Sequence, residues 1–261
     1  MKIKDLFFRD IERNINPAVV VDKLDEATIN TEIEEYVFTP STINNLYKFL
    51  DALFNSKTDK TGIWVSGFYG SGKSHFIKYV FYCLNKKYAD TAFSRYLEDV
   101  KNTNDPDNLG DCTVSNIALL NSKIKKTEID TIIFNIDSVG GQDTNNRNKI
   151  TKIIFNQFNK FRGYNPTNIP FAIMVEKHLD KINKLDEFEK LIKSRLNIDW
   201  SEKSTGLIWL KLNSVLEIVK ELDPTIDVVT LSNKLKNPDD ITIADHLIPE
   251  FVDFLKNKPR D

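Results

Sequence analysis

Gly67, Gly72, Lys73 and Ser74, in the run GFYGSGKSHF (67–76), stand in the order glycine, four residues, glycine, lysine, serine. That order suits a polyphosphate. Glycines let the backbone turn tightly and bring its N–H groups close to phosphate oxygens. A helix starting where the loop ends adds unpaired N–H donors and a partial positive charge of roughly half a unit. Lys73 is expected to reach the β- and γ-phosphates of ATP, or the β-phosphate of ADP, and the Ser74 hydroxyl to help hold Mg²⁺. Gly70 gives the loop a third flexible point. Phe68, Tyr69, Ser71 and His75 complete the nucleotide-binding candidates. Phe68 and Tyr69 either line the outer side of the loop or pack under it, and His75 is read as a polar contact and not as a base. A turn that merely joins a strand to a helix is the simpler alternative. The pattern argues against it by having both its residues and a strand–loop–helix setting.

Binding is not hydrolysis. Turnover also needs an acid at the end of a neighbouring strand and a group that orients the attacking water. The run TIIFNID (131–137) ends on Asp137, which is the one catalytic candidate; a capping or salt-bridging aspartate is its structural alternative. DSVG (137–140) and NKLD (183–186) match the D-x-x-G and N-K-x-D of GTPases, in the right order. Guanine selection needs the second motif at a strand end, whereas Asn183–Asp186 lies in a stretch with helical periodicity. His178 and His246 lack metal-ligand spacing and are read as surface or packing residues. Arg147 and Arg162 are lone helical arginines, which usually serve solubility or packing.

The elements that must position the loop follow from periodicity. TGIWVS (61–66) reads as a buried strand leading into the loop. A helix running to about Lys87 follows, with Phe76, Ile77, Val80, Phe81 and Leu84 at helical spacing. DTIIFNIDSVGG (130–141) reads as a second strand and 146–161 as a helix with Ile150, Ile153, Ile154, Phe158 and Phe161 mostly on one side. The alternation predicts an α/β fold: a P-loop NTPase-type parallel sheet core with helices on both faces, an N-terminal arm and a mostly helical C-terminal part. The arm covers 1–60, with a strand at 18–22 and helices over 26–38 and 39–54. Thr39 is suited to cap the second helix and Pro40 to its first position, with Leu46, Phe49, Leu50 and Leu53 on one face. The nucleotide-binding core covers 61–170. Residues 171–261 form a helical region: an insert, a lid or an interface.

Composition bounds the partners. The chain has 261 residues, 41% apolar and 28% charged, with a net charge of −2. That balance supplies no electrostatic argument for binding DNA or an anionic membrane. No apolar run approaches the roughly 20 residues that span a bilayer, and the N-terminus lacks the apolar stretch of a secretory signal. Cys83 and Cys112 are read as reduced thiols of a cytoplasmic protein.

Four stretches, MKIKDLF (1–7), EEYVFTP (34–40), TDKTGIWVSGFYGSGKSHFIK (58–78) and IIFNID (132–137), resemble the N-terminal part of the BrxC/PglY family. These are the large P-loop ATPases of BREX bacteriophage-defence systems. The resemblance implies an ATP-binding region that couples nucleotide binding and hydrolysis to assembly or remodelling of a defence complex. Other BREX-system proteins and further copies of the chain are the implied partners. It places the family's acidic Asp–Glu strand after residue 261, so that this chain is an N-terminal portion with little turnover and Asp137 lies on an intervening strand. Only Gly67–Ser74 carry a family role residue by residue. The alternatives are a nucleotide-stabilised scaffold or interaction module, and a GTPase using Asp137–Gly140 and Asn183–Asp186.

Overall fold

The computed structural model describes residues 25–55, 62–103, 109–136, 148–200, 205–237 and 241–257. Two compact units divide the chain, Met1–Ile133 and Phe134–Asp261.

The first unit contains α1 (Glu26–Glu35), α2 (Pro40–Phe54), α3 (Lys73–Leu84), α4 (Ala89–Asn102) and α5 (Val114–Lys126). Local chemistry starts most of them. The Asp25 carboxylate accepts the Thr28 N–H at 2.7 Å, and the Thr113 hydroxyl accepts the Asn116 N–H at 3.2 Å. Thr39 and Thr42 form a reciprocal capping box, with Pro40 in the first turn of α2, as the sequence predicts. α3 differs: its cap is Gly72, which offers no side chain to the free N–H groups of the first turn.

Ile33, Leu46, Leu50, Cys83, Phe93 and Ile117 form the centre of one core shared by these helices. Two buried phenols are satisfied within it. The Tyr79 hydroxyl donates to the Ala92 carbonyl and the Tyr96 hydroxyl to the Ile43 carbonyl, each at 2.8 Å. Phe38 packs edge-on against Tyr79 with centroids 5.0 Å apart. Burial pushes the Tyr36 phenol up to about 12 and raises both cysteine thiols. Both cysteines are free and buried, as expected of reduced thiols.

Among the described residues there is no β-strand and no sheet, which overturns the expected α/β fold with its parallel-sheet core. The described residues of the runs read as core strands, 62–67 and 130–136, belong to no β-ladder. A strand inside a parallel sheet has both faces covered. Here Ile63, Ile132 and Ile136 are exposed, and Trp64 is 90% exposed. An apolar, β-branched run is common to a buried strand and an extended connector; a pairing partner alone distinguishes them. The strand expected at 18–22 lies outside the described residues. α3 ends at Leu84, short of Lys87, where Asn85 turns to an extended conformation. Leu53, expected on the apolar face of α2, is exposed.

The second unit is also helical. It contains α6 (Lys149–Phe161) and then α7, built from Ile169–Phe171, a π-helical segment Ala172–Glu176 and Lys177–Lys181. α8 (Leu185–Leu196), α9 (Thr205–Leu210), α10 (Leu212–Leu222) and α11 (Val228–Lys236) follow. α12 joins a π-helical segment Ile243–Leu247 to Ile248–Asn257. Trp200 sits at the centre of its main core, edge-on to Phe188 at 4.9 Å. The buried Glu176 carboxylate accepts the Asn165 N–H at 2.5 Å and the Trp200 indole N–H at 2.8 Å. Glu250 accepts from Arg162 and from Lys177, each at 2.7 Å. Ile150, expected on the apolar side of α6, is exposed. No helix among the described residues is long and apolar enough to cross a membrane.

Candidate phosphate-binding site

Residues 67–72 form a loop that runs directly into the first turn of α3 (Lys73–His75), and the glycines shape it. Gly70 (φ 78°) and Gly72 (φ 81°) both adopt the left-handed region, which costs other L-residues about 1–2 kcal/mol each. The Ser71 N–H donates to the Phe68 carbonyl at 3.2 Å, closing a turn around Gly70. A Cβ on Gly67 would lie 2.8 Å from the Ser71 Oγ, so this position has no room for a side chain unless Ser71 moves. The Phe76 N–H donates to the Gly72 carbonyl at 2.9 Å, the first bond of the helix.

These choices leave donors available. The first N–H groups of any α-helix lack an intrahelical partner, and at α3 no side chain caps them. Lys73 occupies the first helical position. Its ammonium donates to the Gly67 carbonyl at 2.9 Å and the Phe68 carbonyl at 2.7 Å, folded back over its own loop. Ser74 and His75 are exposed on the first turn. The loop therefore gathers a cation, uncapped helical N–H groups and two left-handed glycines within eight residues, and these residues fit a polyphosphate. Phe68 and Tyr69 are almost wholly exposed, which places them on the outer side of the loop and not beneath it. The segment that feeds the loop is not a strand, so the strand–loop–helix setting read from sequence is present only in its second half.

A cleft of about 1340 Å³ opens beside the loop. Ser71, Gly72, Lys73, His75 and Phe76 line it on the loop side, and residues of α1, α2, the connection between them and 63–66 form the rest of its wall. Glu32 of α1 lines the same cleft and is tied to α3 twice. It pairs with Lys78, whose side chain is 3% exposed, at 2.5 Å, and it accepts the Tyr82 hydroxyl. Burial, and then this bond, raise the Tyr82 phenol well above its ordinary range. Sequence reasoning missed this wall. The available signal was Lys78 itself, a charge within the apolar run FIKYVFYC, which demands a buried partner.

The remaining predicted residues do not join the loop. Asp137, with the whole of DSVG, lies outside the described residues, as does Arg147. NKLD spans the end of the turn between α7 and α8 and the first two residues of α8: Asn183 is left-handed (φ 56°) and the Lys184 ammonium pairs with Glu187 at 2.6 Å. That is a helix-to-helix turn and not the strand end that guanine selection needs. The His178 Nε2–H donates to the Asp223 carboxylate at 2.7 Å, and the His246 Nδ1 accepts the Thr242 N–H at 3.2 Å. Arg162 is an ion-pair partner in the second unit. No group of three or more metal-ligating His, Cys, Asp or Glu occurs among the described residues.

Residues 40–237, more than half of the chain and inclusive of the whole loop, match the model of the KAP family P-loop domain. No solved structure matches the chain.

Proposed function

The chain belongs to the KAP family of P-loop domains, and on that premise we propose that residues 67–74 bind ATP or ADP together with Mg²⁺. The observation that carries this reading is the glycine-capped start of α3, with Lys73 poised over the loop. Phosphate oxygens take the place of the Gly67 and Phe68 carbonyls as acceptors for the Lys73 ammonium. The uncapped N–H groups of the first turn, at the positive end of the helix, supply further donors. Ser74 is the residue that would hold Mg²⁺, whose charge offsets that of the phosphates.

The chain is further proposed to be the nucleotide-binding region of a BREX-type ATPase in bacteriophage defence. There, nucleotide binding would drive assembly or remodelling with other BREX-system proteins and further copies of the chain. The stretches at 34–40, 58–78 and 132–137 support that reading. Alone, the chain is proposed to bind nucleotide with little turnover, since only the phosphate loop carries over residue by residue.

Two experiments test these readings. Calorimetry with Mg-ATP is expected to give saturable heat for the wild type and none for Lys73→Ala; equal heats would overturn the site. In cells carrying the intact BREX system, Lys73→Ala in the full-length protein is expected to abolish protection from phage. Undiminished protection would overturn the defence role.

A further inference from the structure

The cleft beside the loop is larger than a polyphosphate needs. Ligand pockets for whole small molecules are typically about 300–1,000 Å³, and this one is about 1340 Å³. Its walls are also chemically uneven. Cations line it from α3 (Lys73) and α2 (Lys48). The α1 wall contributes two carboxylates, Glu32 and Glu35, and α1 (EATINTEIEE) contains no lysine or arginine at all. With no cation on α1, a polyphosphate is drawn towards Lys73 at α3. The uncharged part of a ligand is left to α1, where threonine hydroxyls can donate or accept hydrogen bonds and carboxylates can accept them from sugar hydroxyls and ring amines. An indole and a phenyl ring, Trp64 and Phe49, line the same cleft, and Trp64 is 90% exposed. A flat aromatic base is the surface such a ring stacks upon.

We infer that the α1 wall of this cleft (Ala27, Thr28 and Thr31), together with Phe49 of α2 and Trp64, seats the nucleoside half of the bound nucleotide. The inference rests on the reading of 67–74 as a polyphosphate cradle. It adds that α1 and α2, which precede the loop, carry the recognition of base and ribose, with Trp64 as the stacking surface.

The test separates the two halves of the ligand by using Mg-ATP and Mg-tripolyphosphate on the full chain. Thr31 is exposed, and its hydroxyl donates within α1, to the Ala27 carbonyl at 2.9 Å. Thr31→Trp therefore fills the cleft without entering the core, and circular dichroism checks that it folds. The variant is expected to lose at least about tenfold in affinity for Mg-ATP and to keep wild-type affinity for Mg-tripolyphosphate. The part of the indole emission that Trp64→Phe removes is expected to respond to Mg-ATP and not to Mg-tripolyphosphate. Unchanged Mg-ATP affinity in Thr31→Trp, or an equal Trp64 response to both ligands, would overturn the nucleoside seat while leaving the cradle standing. Failure of the wild type to bind either ligand would sink the cradle and, with it, this inference.

Discussion

Lys73 is hydrogen-bonded to its own loop: its ammonium lies 2.7 Å from the carbonyl oxygen of Phe68, five residues earlier. In this arrangement the side chain closes the loop and is held where a phosphate would draw it away. Its bonds in the free protein are to exposed backbone and contribute little to the core.

Lys73→Ala is therefore expected to separate binding from folding. A hydrogen bond to a charged group is worth roughly 1.5–3 kcal/mol, or about 10- to 150-fold in affinity. Calorimetry with Mg-ATP should show a loss of at least that size. The melting temperature without nucleotide should move by no more than a couple of degrees, the shift that a ΔΔG of about 0.5 kcal/mol or less produces.

Gly72 holds a left-handed conformation at the cap of α3, with φ 81°. Gly72→Ala is expected to destabilise the chain by about 1–2 kcal/mol and to weaken nucleotide binding. Gly72→Asn, whose short polar side chain tolerates this region, should cost less. Urea unfolding of the three proteins gives the order; an alanine variant as stable as the wild type would contradict it.

The Glu32–Lys78 pair joins α1 to α3 across 46 residues of sequence. Removing one partner of a buried pair strands the other and costs about 3–5 kcal/mol. Glu32→Ala should lower the urea midpoint accordingly, and Lys78→Met in the same chain should restore most of the loss. Failure of the double variant to recover would show that the Tyr82 hydroxyl, also bound to Glu32, is the larger contributor.

Asp223 gives a pH signature. Hydrogen bonds from the Thr225 hydroxyl and from His178 lower its carboxyl from 3.8 to about 2. A carboxyl depressed by folding adds stability that is complete above its unfolded value and fades as the pH falls through its folded value. The urea midpoint should therefore fall between about pH 4 and pH 2, and Asp223→Asn should flatten part of that decline. Parallel acid limbs for the two proteins would contradict the assignment.

The parts of this molecule that were legible in sequence are those fixed within a few residues. Thr39 and Pro40 announce the start of α2 because capping is a contact between neighbours. Gly67, Gly72, Lys73 and Ser74 announce the loop because its conformation is written in residue type. The sheet was misread because strand identity depends on a distant partner: IWVSG and TIIFNI have the composition of strands, yet Trp64 and Ile132 are exposed. The cleft was invisible for a related reason. Its α1 wall is tied to α3 by a carboxylate in α1 meeting an ammonium in α3, and neither position reveals the other.

The Glu250 carboxylate that neutralises Arg162 is made 88 residues after it on the ribosome, and 73 after Lys177. Until residue 250 emerges, the two cations have no counter-charge from α12 and remain hydrated, which opposes burying them. The two Glu250 pairs of the second unit can therefore close only once α12 has begun to be made, whereas the Glu32–Lys78 pair of the first unit is complete once residue 78 is made. Vectorial synthesis thus supplies both partners of the pair behind the phosphate loop long before it supplies Glu250.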